Sequence, residues 1–347
     1  MKTTKNESKR KFWMKMGLML ILLLLSIPLC ALWGSADVSY GQTAQFLLSQ
    51  IVPFFEYEVP NWIRSVIWEL RIPRILLGIA VGGGLSICGV AMQALTRNVL
   101  AEPYILGVSS GASAMAVFAL MFGGTSWLAS LGVSGCAFLG ALASLLLVYT
   151  LSISKGSSSS ERLLLSGIAV SMVLNALTQF FIQVAPNSNN VKSALYWMMG
   201  SLASARWNNV MLPVGVSLLG CVVLYVLGKS MNLMSQGDES ATTMGVNVPR
   251  MRKALLVIVS MITGVLVSAS GCIGFVGLMI PHIVRMLFGA DHRRVIPASF
   301  LMGAMFLVWM DVGARVVLAP SEMSIGILTA FCGGPFFVWL LRHRKRA

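Results

Sequence analysis

The stretch ALLVIVSMITGVLVSASGCIGFVGLMIPHIVRMLFG, Ala254 to Gly289, is apolar for 36 residues with one arginine near its end. As a single helix it would be about 54 Å long, far beyond a hydrocarbon core of about 30 Å. The glycines of SGCIGFVG at its centre permit a turn, so the stretch reads as two short spans, near 254–270 and 272–289. One span or two decides whether the chain crosses nine or ten times, and so which face every later connection occupies.

The rest of the chain follows the same composition. Of 347 residues 56% are hydrophobic and 11% charged, with a mean hydropathy of +0.80. An ordinary soluble domain carries about 25% charged residues. Further spans are expected near 13–33, 69–95, 104–122, 127–151, 162–184, 208–228, 295–318 and 324–342, ten in all. The first follows Lys2, Lys5, Lys9, Arg10 and Lys11 and resembles a signal peptide. It is longer than a typical h-region and CALWGSA offers only a weak cleavage site, so it reads as a retained span. With ten spans both termini share a side. If that side is cytoplasmic, twenty of the 26 Lys and Arg lie inside, as the positive-inside rule requires. Arg71, Arg74 and Arg315 are then among the few basic residues outside. The net charge of +14 reports orientation, with no nucleic acid partner implied. No linker or 20–50-residue repeat divides the chain, and residues 1–347 read as one membrane domain.

Several motifs reduce to packing. Cys30, Cys88, Cys136, Cys221, Cys272 and Cys332 form no CxxC pair and suit neither disulfides nor a metal site. No GxxxxGK[ST] is present, so ATP hydrolysis is not expected in this chain. GVSSG at 107–111 matches a hydrolase elbow in letters, but no strand precedes Ser109. Gly78 with Gly82, Gly107 with Gly111, and Ala112 with Ala116 have the small-xxx-small spacing of close helix contacts. His282, after Pro281, reads as a packing or hydrogen-bonding residue. The 22 methionines are adaptable core fillers.

Two features remain. Asp311 and Arg315 are i, i+4 in one span, where charges are expensive and usually paired. The carboxylate would orient Arg315 toward an outward-facing basic patch. On the inner side, residues 230–253 form the largest internal loop. Asp238 or Ser240 can cap a short helix there, and Ala241 with Gly245 offers a small-residue face suited to a cytosolic partner.

Taken together, RIPR (71–74), MQALTRNVLAEPYILGVSSGA (92–112), ERLLLSGIAVS (161–171), YWMMGSLA (196–203), GDESATTMGV (237–246), GFVGLMIPHIVR (274–285), DHRRVIPAS (291–299), DVGAR (311–315) and PSEMSIGILTAFCGGPFFVWLL (320–341) resemble the FecCD family. These are permease subunits of bacterial importers for iron–siderophores, haem and cobalamin, and the likeness covers about 60–343. It implies an all-α membrane protein of the type II ABC importer permease fold, in the cytoplasmic (inner) membrane among lipid. It also implies a second permease subunit, either a copy or a paralogue, two cytosolic ATPase subunits that use ATP and Mg, and an extracytoplasmic substrate-binding protein. No cofactor, metal or catalytic residue is expected in the chain itself. Carried over by motif, Arg71, Arg74 and Arg315 meet acidic residues of the binding protein. The ATPase-coupling loop falls on Gly237, Asp238, Glu239, Ala241 and Gly245. The cytoplasmic gate falls on Asn98, Leu100, Ser160 and Glu161. Among the family's substrates an iron(III)–siderophore is the expectation, with cobalamin and haem as alternatives. An ion-coupled secondary transporter would need an ionisable coupling group in mid-span, and Asp311 is the main candidate.

Overall fold

The computed structural model describes residues 2–34, 38–51, 59–123, 127–154, 157–158 and 160–343, and of these leaves out the side chains of 2–9, 51, 127–129, 153–154, 157–158, 160, 341 and 343. Helices account for nearly all of it: α1 Lys2–Leu32, α2 Tyr40–Ile51, α3 Asn61–Ser65, α4 Ile72–Thr96, α5 Val108–Phe122, α6 Trp127–Ser152, α7 Ser160–Gln183, α8 Ser188–Met198, α9 Trp207–Met234, α10 Asp238–Thr243, α11 Val248–Ser270, α12 Val276–Phe288, α13 His292–Val316 and α14 Ile325–His343. A two-residue antiparallel pair, Ile153–Ser154 with Ser157–Ser158, joins α6 to α7. Seven helices, one of them joined from successive helical segments over Asn61–Thr96, are long and apolar enough to cross a membrane. Three shorter apolar helices, Val108–Phe122, Val276–Phe288 and Ile325–Leu340, complete ten among the described residues. All ten coincide with the expected spans. Helices α2 and α8 are additional and lie on the outer side.

The long stretch at 254–289 does break in two. Helix α11 ends at Gly271, whose φ of 67° a side chain would strain. The chain re-enters a helix at Val276 after Phe275. Backbone freed at membrane depth needs internal partners, and Tyr104 provides them. Its hydroxyl donates to the Ile273 carbonyl at 2.9 Å and accepts the Ile273 N–H at 3.0 Å. Ser201 N–H reaches the Ser270 carbonyl at 2.8 Å, which ties the connection after α8 to the same break.

Helix α4 is the axis of the molecule. It packs against α9, α11, α12 and α13, and from Arg74 to Thr96 only Leu76 and Ile79 escape full burial. Close approach explains its glycines: a Cβ on Gly82 would overlap the Gly303 carbonyl of α13. The Gly78/Gly82 pair is therefore a helix contact, as its spacing implied. Gly107 is different: it sits at φ 74° between the 3-10 turn Pro103–Leu106 and α5, and serves a turn.

The start of α4 departs from the usual place of proline in a helix's first turn. Pro73 does not begin a helix. Residues Asn61–Ser65, a π-helical turn Val66–Arg71 and α4 form one continuous rod, 61–96. The wide turn, in which Ile72 N–H reaches back to the Ile67 carbonyl, leaves room for a proline ring that an α-helical turn would crowd. Helix α1 is an integral part of the bundle, with Cys30 and Ala31 fully buried against it.

Candidate functional site

Arg71 closes the π-helical turn of the α3–α4 rod, Arg74 follows in the first turn of α4, and Arg315 lies near the outer end of α13. The fold brings all three to one place. Asp311 is the hub: Arg74 Nε donates to Oδ1 at 2.9 Å and Arg315 Nε lies 3.1 Å from Oδ2. Arg74 also holds Glu322 through Nη1, 2.9 Å from Oε2. Arg71 Nη1 donates to the Ala31 carbonyl at 2.7 Å, and Arg315 Nη1 and Nη2 to the Trp33 and Cys30 carbonyls at 2.8 and 3.2 Å. The C-terminal carbonyls of α1 lack intrahelical donors, and cations are favourable there. Arginine suits this role because its planar fork can serve several acceptors at once.

The basic patch expected from the sequence is therefore corrected. Arg71, Arg74 and Arg315 are 4%, 9% and 2% exposed. They are not splayed on the surface but line the wall of a recess of about 270 Å³, together with Arg206 and Glu322. Cations this enclosed need carboxylates, because an uncompensated buried charge is costly. The Asp311–Arg315 pair was legible as i, i+4. Arg206 and Glu322 were not assigned a role, although both belong to the short inventory of outer charges. The α1 carbonyls carry no sequence signal. Asp311 is engaged on both sides by arginine, which removes it as a free ion-coupling group.

At the other end, α10 is held to the bundle by its first residue. Asp238 pairs with Arg97, which ends α4 in a left-handed conformation, and with Arg252 Nη2 of α11 at 3.1 Å. Arg97 Nε also reaches the Met234 carbonyl at 3.0 Å. Gly237 is the N-cap and no side chain caps the helix, so the expected capping by Asp238 or Ser240 is replaced by an ion pair. Ala241 is fully buried against the bundle; it seats the helix and does not face a partner. The outward face is Glu239, Ser240, Thr242, Thr243, Gly245 and Met244, the last 61% exposed. Beside α10 a cavity of about 520 Å³ is lined by Gln93, Arg97, Asn232, Gln236, Arg285 and His292. Arg285 donates to Gln93, and Asn232 Nδ2 donates to Asp291 at 2.8 Å.

Of the expected gate residues, Asn98 and Leu100 form a turn: the Asn98 side-chain oxygen accepts the Leu100 N–H at 3.0 Å. Glu161 is exposed in the first turn of α7. The Ser160 side chain lies outside the described residues, as do Lys155, Gly156 and Ser159 of the adjoining loop. His282 packs its ring on Phe336, in keeping with a packing role. Among the described residues no group of three His, Cys, Asp or Glu could hold a metal ion.

The model of the FecCD transport family matches residues 18–343. The chain belongs to the FecCD transport family. The cobalamin import system permease BtuC of Halobacterium salinarum is 39% identical over 313 residues, 90% of this chain and 80% of its own. The hemin transport system permease HmuU of Yersinia pestis is 38% identical, covering 81% and 84%. The Fe(3+)-citrate import system permease YfmD of Bacillus subtilis is 39% identical, covering 81% and 83%. A solved metal-chelate type ABC transporter in an inward-facing conformation superposes with a TM-score of 0.81 at 29% identity, over 94% of this chain and 98% of that one. This FecCD chain is thus a multi-pass permease subunit of an ABC importer in the cytoplasmic membrane. ATP is hydrolysed in separate ATPase subunits, and a partner permease completes the membrane part.

Proposed function

We propose that this permease passes an iron(III)–siderophore type chelate inward, delivered by an extracytoplasmic binding protein whose carboxylates engage Arg71, Arg74 and Arg315. The observation that carries the docking reading is the convergence of Arg74 and Arg315, more than two hundred positions apart, on one carboxylate at the outer mouth, in a recess open to a partner. Glu322 already occupies one Arg74 donor, with 30% of its side chain exposed. A partner's carboxylate can take that place at small cost. Charge pairing of this kind contributes mainly to encounter and register. The iron reading is supported by relatives named for hemin and Fe(3+)-citrate and by the metal-chelate neighbour. Cobalamin is the alternative, from the relative in Halobacterium salinarum.

On the inner side the outward face of α10, with Glu239, Met244 and Gly245, is where an ATPase subunit engages. Asp238 and Ala241 anchor the helix, so motion of α10 is passed to α4 and α11. The inner gate is assigned to Asn98 and Leu100 with Ser160 and Glu161. The partner permease packs on α7, whose exposed face carries Asn175, Gln179 and Gln183 at i, i+4, i+8. Three amides in a row are ill-suited to lipid and suit a partner helix or a polar path.

The test is reconstitution with the ATPase subunits and binding protein in proteoliposomes. ATP-dependent uptake of a chelate is expected. Charge reversal at Arg71, Arg74 and Arg315 together should abolish binding-protein docking and uptake. Unchanged docking and uptake in that triple variant would remove the assignment.

A further inference from the structure

Helix α1 is fastened at both ends and largely exposed between them. At the outer end its last carbonyls accept from Arg71 and Arg315. At the inner end a second clasp joins it to α12 and α13. Phe12 packs edge-on against Phe288, with ring centroids 5.8 Å apart. Lys15 Nζ lies 5.5 Å from the Phe288 centroid and donates to the Leu287 carbonyl at 3.3 Å. The Arg294 guanidinium lies 5.6 Å from the Phe12 centroid. Cations are favourable over aromatic faces and at the C-terminal end of a helix.

The clasp leaves positive charge over. Residues 1–15 carry six Lys and Arg against one acid, Glu7. Arg10, Lys11 and Lys15 are exposed, and among the described residues none of the three forms an ion pair. Lys15 has three donors and gives one to Leu287. Asp291, at the start of α13, is turned to other partners: its Oδ1 accepts from Asn232 Nδ2 at 2.8 Å and from the Arg293 N–H at 3.1 Å.

The rest of that helix face identifies the occupant. From Lys11 and Lys15 the helical period continues through Leu18, Leu22, Leu25 and Leu29. These four leucines are between 42% and 58% exposed. Leu18 to Leu29 spans about 17 Å, close to half of a hydrocarbon core of about 30 Å. Met286 and Leu287, beside Lys15, are 61% and 51% exposed and widen the apolar surface. A soluble anion matches the cations and leaves the leucines bare. A cytosolic protein reaches the cations but not a leucine face at bilayer depth. An amphiphile with a phosphate head and acyl chains matches both, and basic clusters at the cytoplasmic edge of a span attract anionic lipids. We infer that the corner between α1, α12 and α13 binds an anionic phospholipid of the inner leaflet. Its phosphate sits at Lys11 and Lys15 and an acyl chain runs along the leucine face, bracing the inner end of α1.

The experiment titrates the solubilised permease–ATPase complex with phosphatidylglycerol, phosphatidylcholine and inorganic phosphate, and counts bound molecules by native mass spectrometry. Saturable binding of phosphatidylglycerol is expected, tighter than that of phosphatidylcholine and not displaced by inorganic phosphate. Lys11→Gln with Lys15→Gln should weaken phosphatidylglycerol about thirtyfold, from about 1 kcal/mol for each cation near the surface. The same pair should leave phosphatidylcholine unchanged, a split that misfolding does not produce. Lys11→Arg with Lys15→Arg should keep the affinity. So should Lys253→Gln, which removes an exposed cation of α11 that lies over Tyr149. Equal affinity for the two lipids, displacement by phosphate, or phosphatidylglycerol binding insensitive to the Gln pair overturns the assignment. Loss of the ATPase subunits from the Gln pair with lipid affinity unchanged also overturns it, and makes these cations a protein contact.

Discussion

Asp311 carries more of the outer site than any arginine does. Its two oxygens hold Arg74 and Arg315 with 2% of its side chain exposed. Asp311→Asn leaves two enclosed guanidinium groups short of charge, a loss expected to cost about 3–5 kcal/mol. Glu322→Gln, at the open rim, should cost no more than about 1 kcal/mol. Thermal unfolding of the two variants side by side checks the contrast. Glu102, in the connection between α4 and α5, supplies a pH dependence. Burial raises its carboxyl pKa, partly offset by the Phe275 N–H. A raised folded-state value means that the folded chain prefers the proton. The contribution is full below the unfolded-state value and is lost as pH rises through the folded one. The unfolding temperature should therefore decline over that window, and Glu102→Gln should flatten the slope.

At the level of elements, α4 and α13 approach as closely as they do because Gly82 and Gly303 have no side chains. Gly82→Ala should lower stability by about 1–3 kcal/mol, the usual cost of overpacking. Gly17→Ala on α1, where a Cβ meets nothing within 4 Å, should leave the melting curve where it was. Helix α10 offers a different test. The Arg97–Asp238 pair is 39% and 46% exposed, but Asp238 also holds Arg252, whose side chain is 7% exposed, so Asp238→Asn should cost about 1–3 kcal/mol. It should also loosen α10 from α4 and α11. The expected outcome is ATP hydrolysis that continues while uptake falls, and measuring both in the same proteoliposomes decides it.

Across the whole molecule, charge among the described residues gathers at the two ends of an apolar bundle. The outer end holds Arg71, Arg74, Arg206, Arg315, Asp311 and Glu322; the inner end holds Arg97, Asp238, Arg252, Arg285 and Asp291. Such segregation fits the proposed docking of a binding protein at one end and of an ATPase at the other, with α4 running between them.

Hydropathy and the length of a bilayer core were enough to place ten spans, because each apolar run must bury itself whatever its neighbours are. Charge asymmetry likewise placed Arg71, Arg74 and Arg315 on one side. Local spacing revealed the Asp311–Arg315 pair, since i and i+4 meet on any helix. The remainder needed the tertiary structure. The Arg74–Asp311 and Arg74–Glu322 pairs join residues more than two hundred positions apart, and no local period encodes them. Ala241 and Gly245 have the spacing of a helix face, but only packing decides that Ala241 turns inward. Proline favours the first turn of a helix, yet at Pro73 the π-helical turn before it lets the helix continue. An outer cavity of about 680 Å³ is the clearest case: its eight serines are scattered along the chain and share one wall only where five outer segments converge.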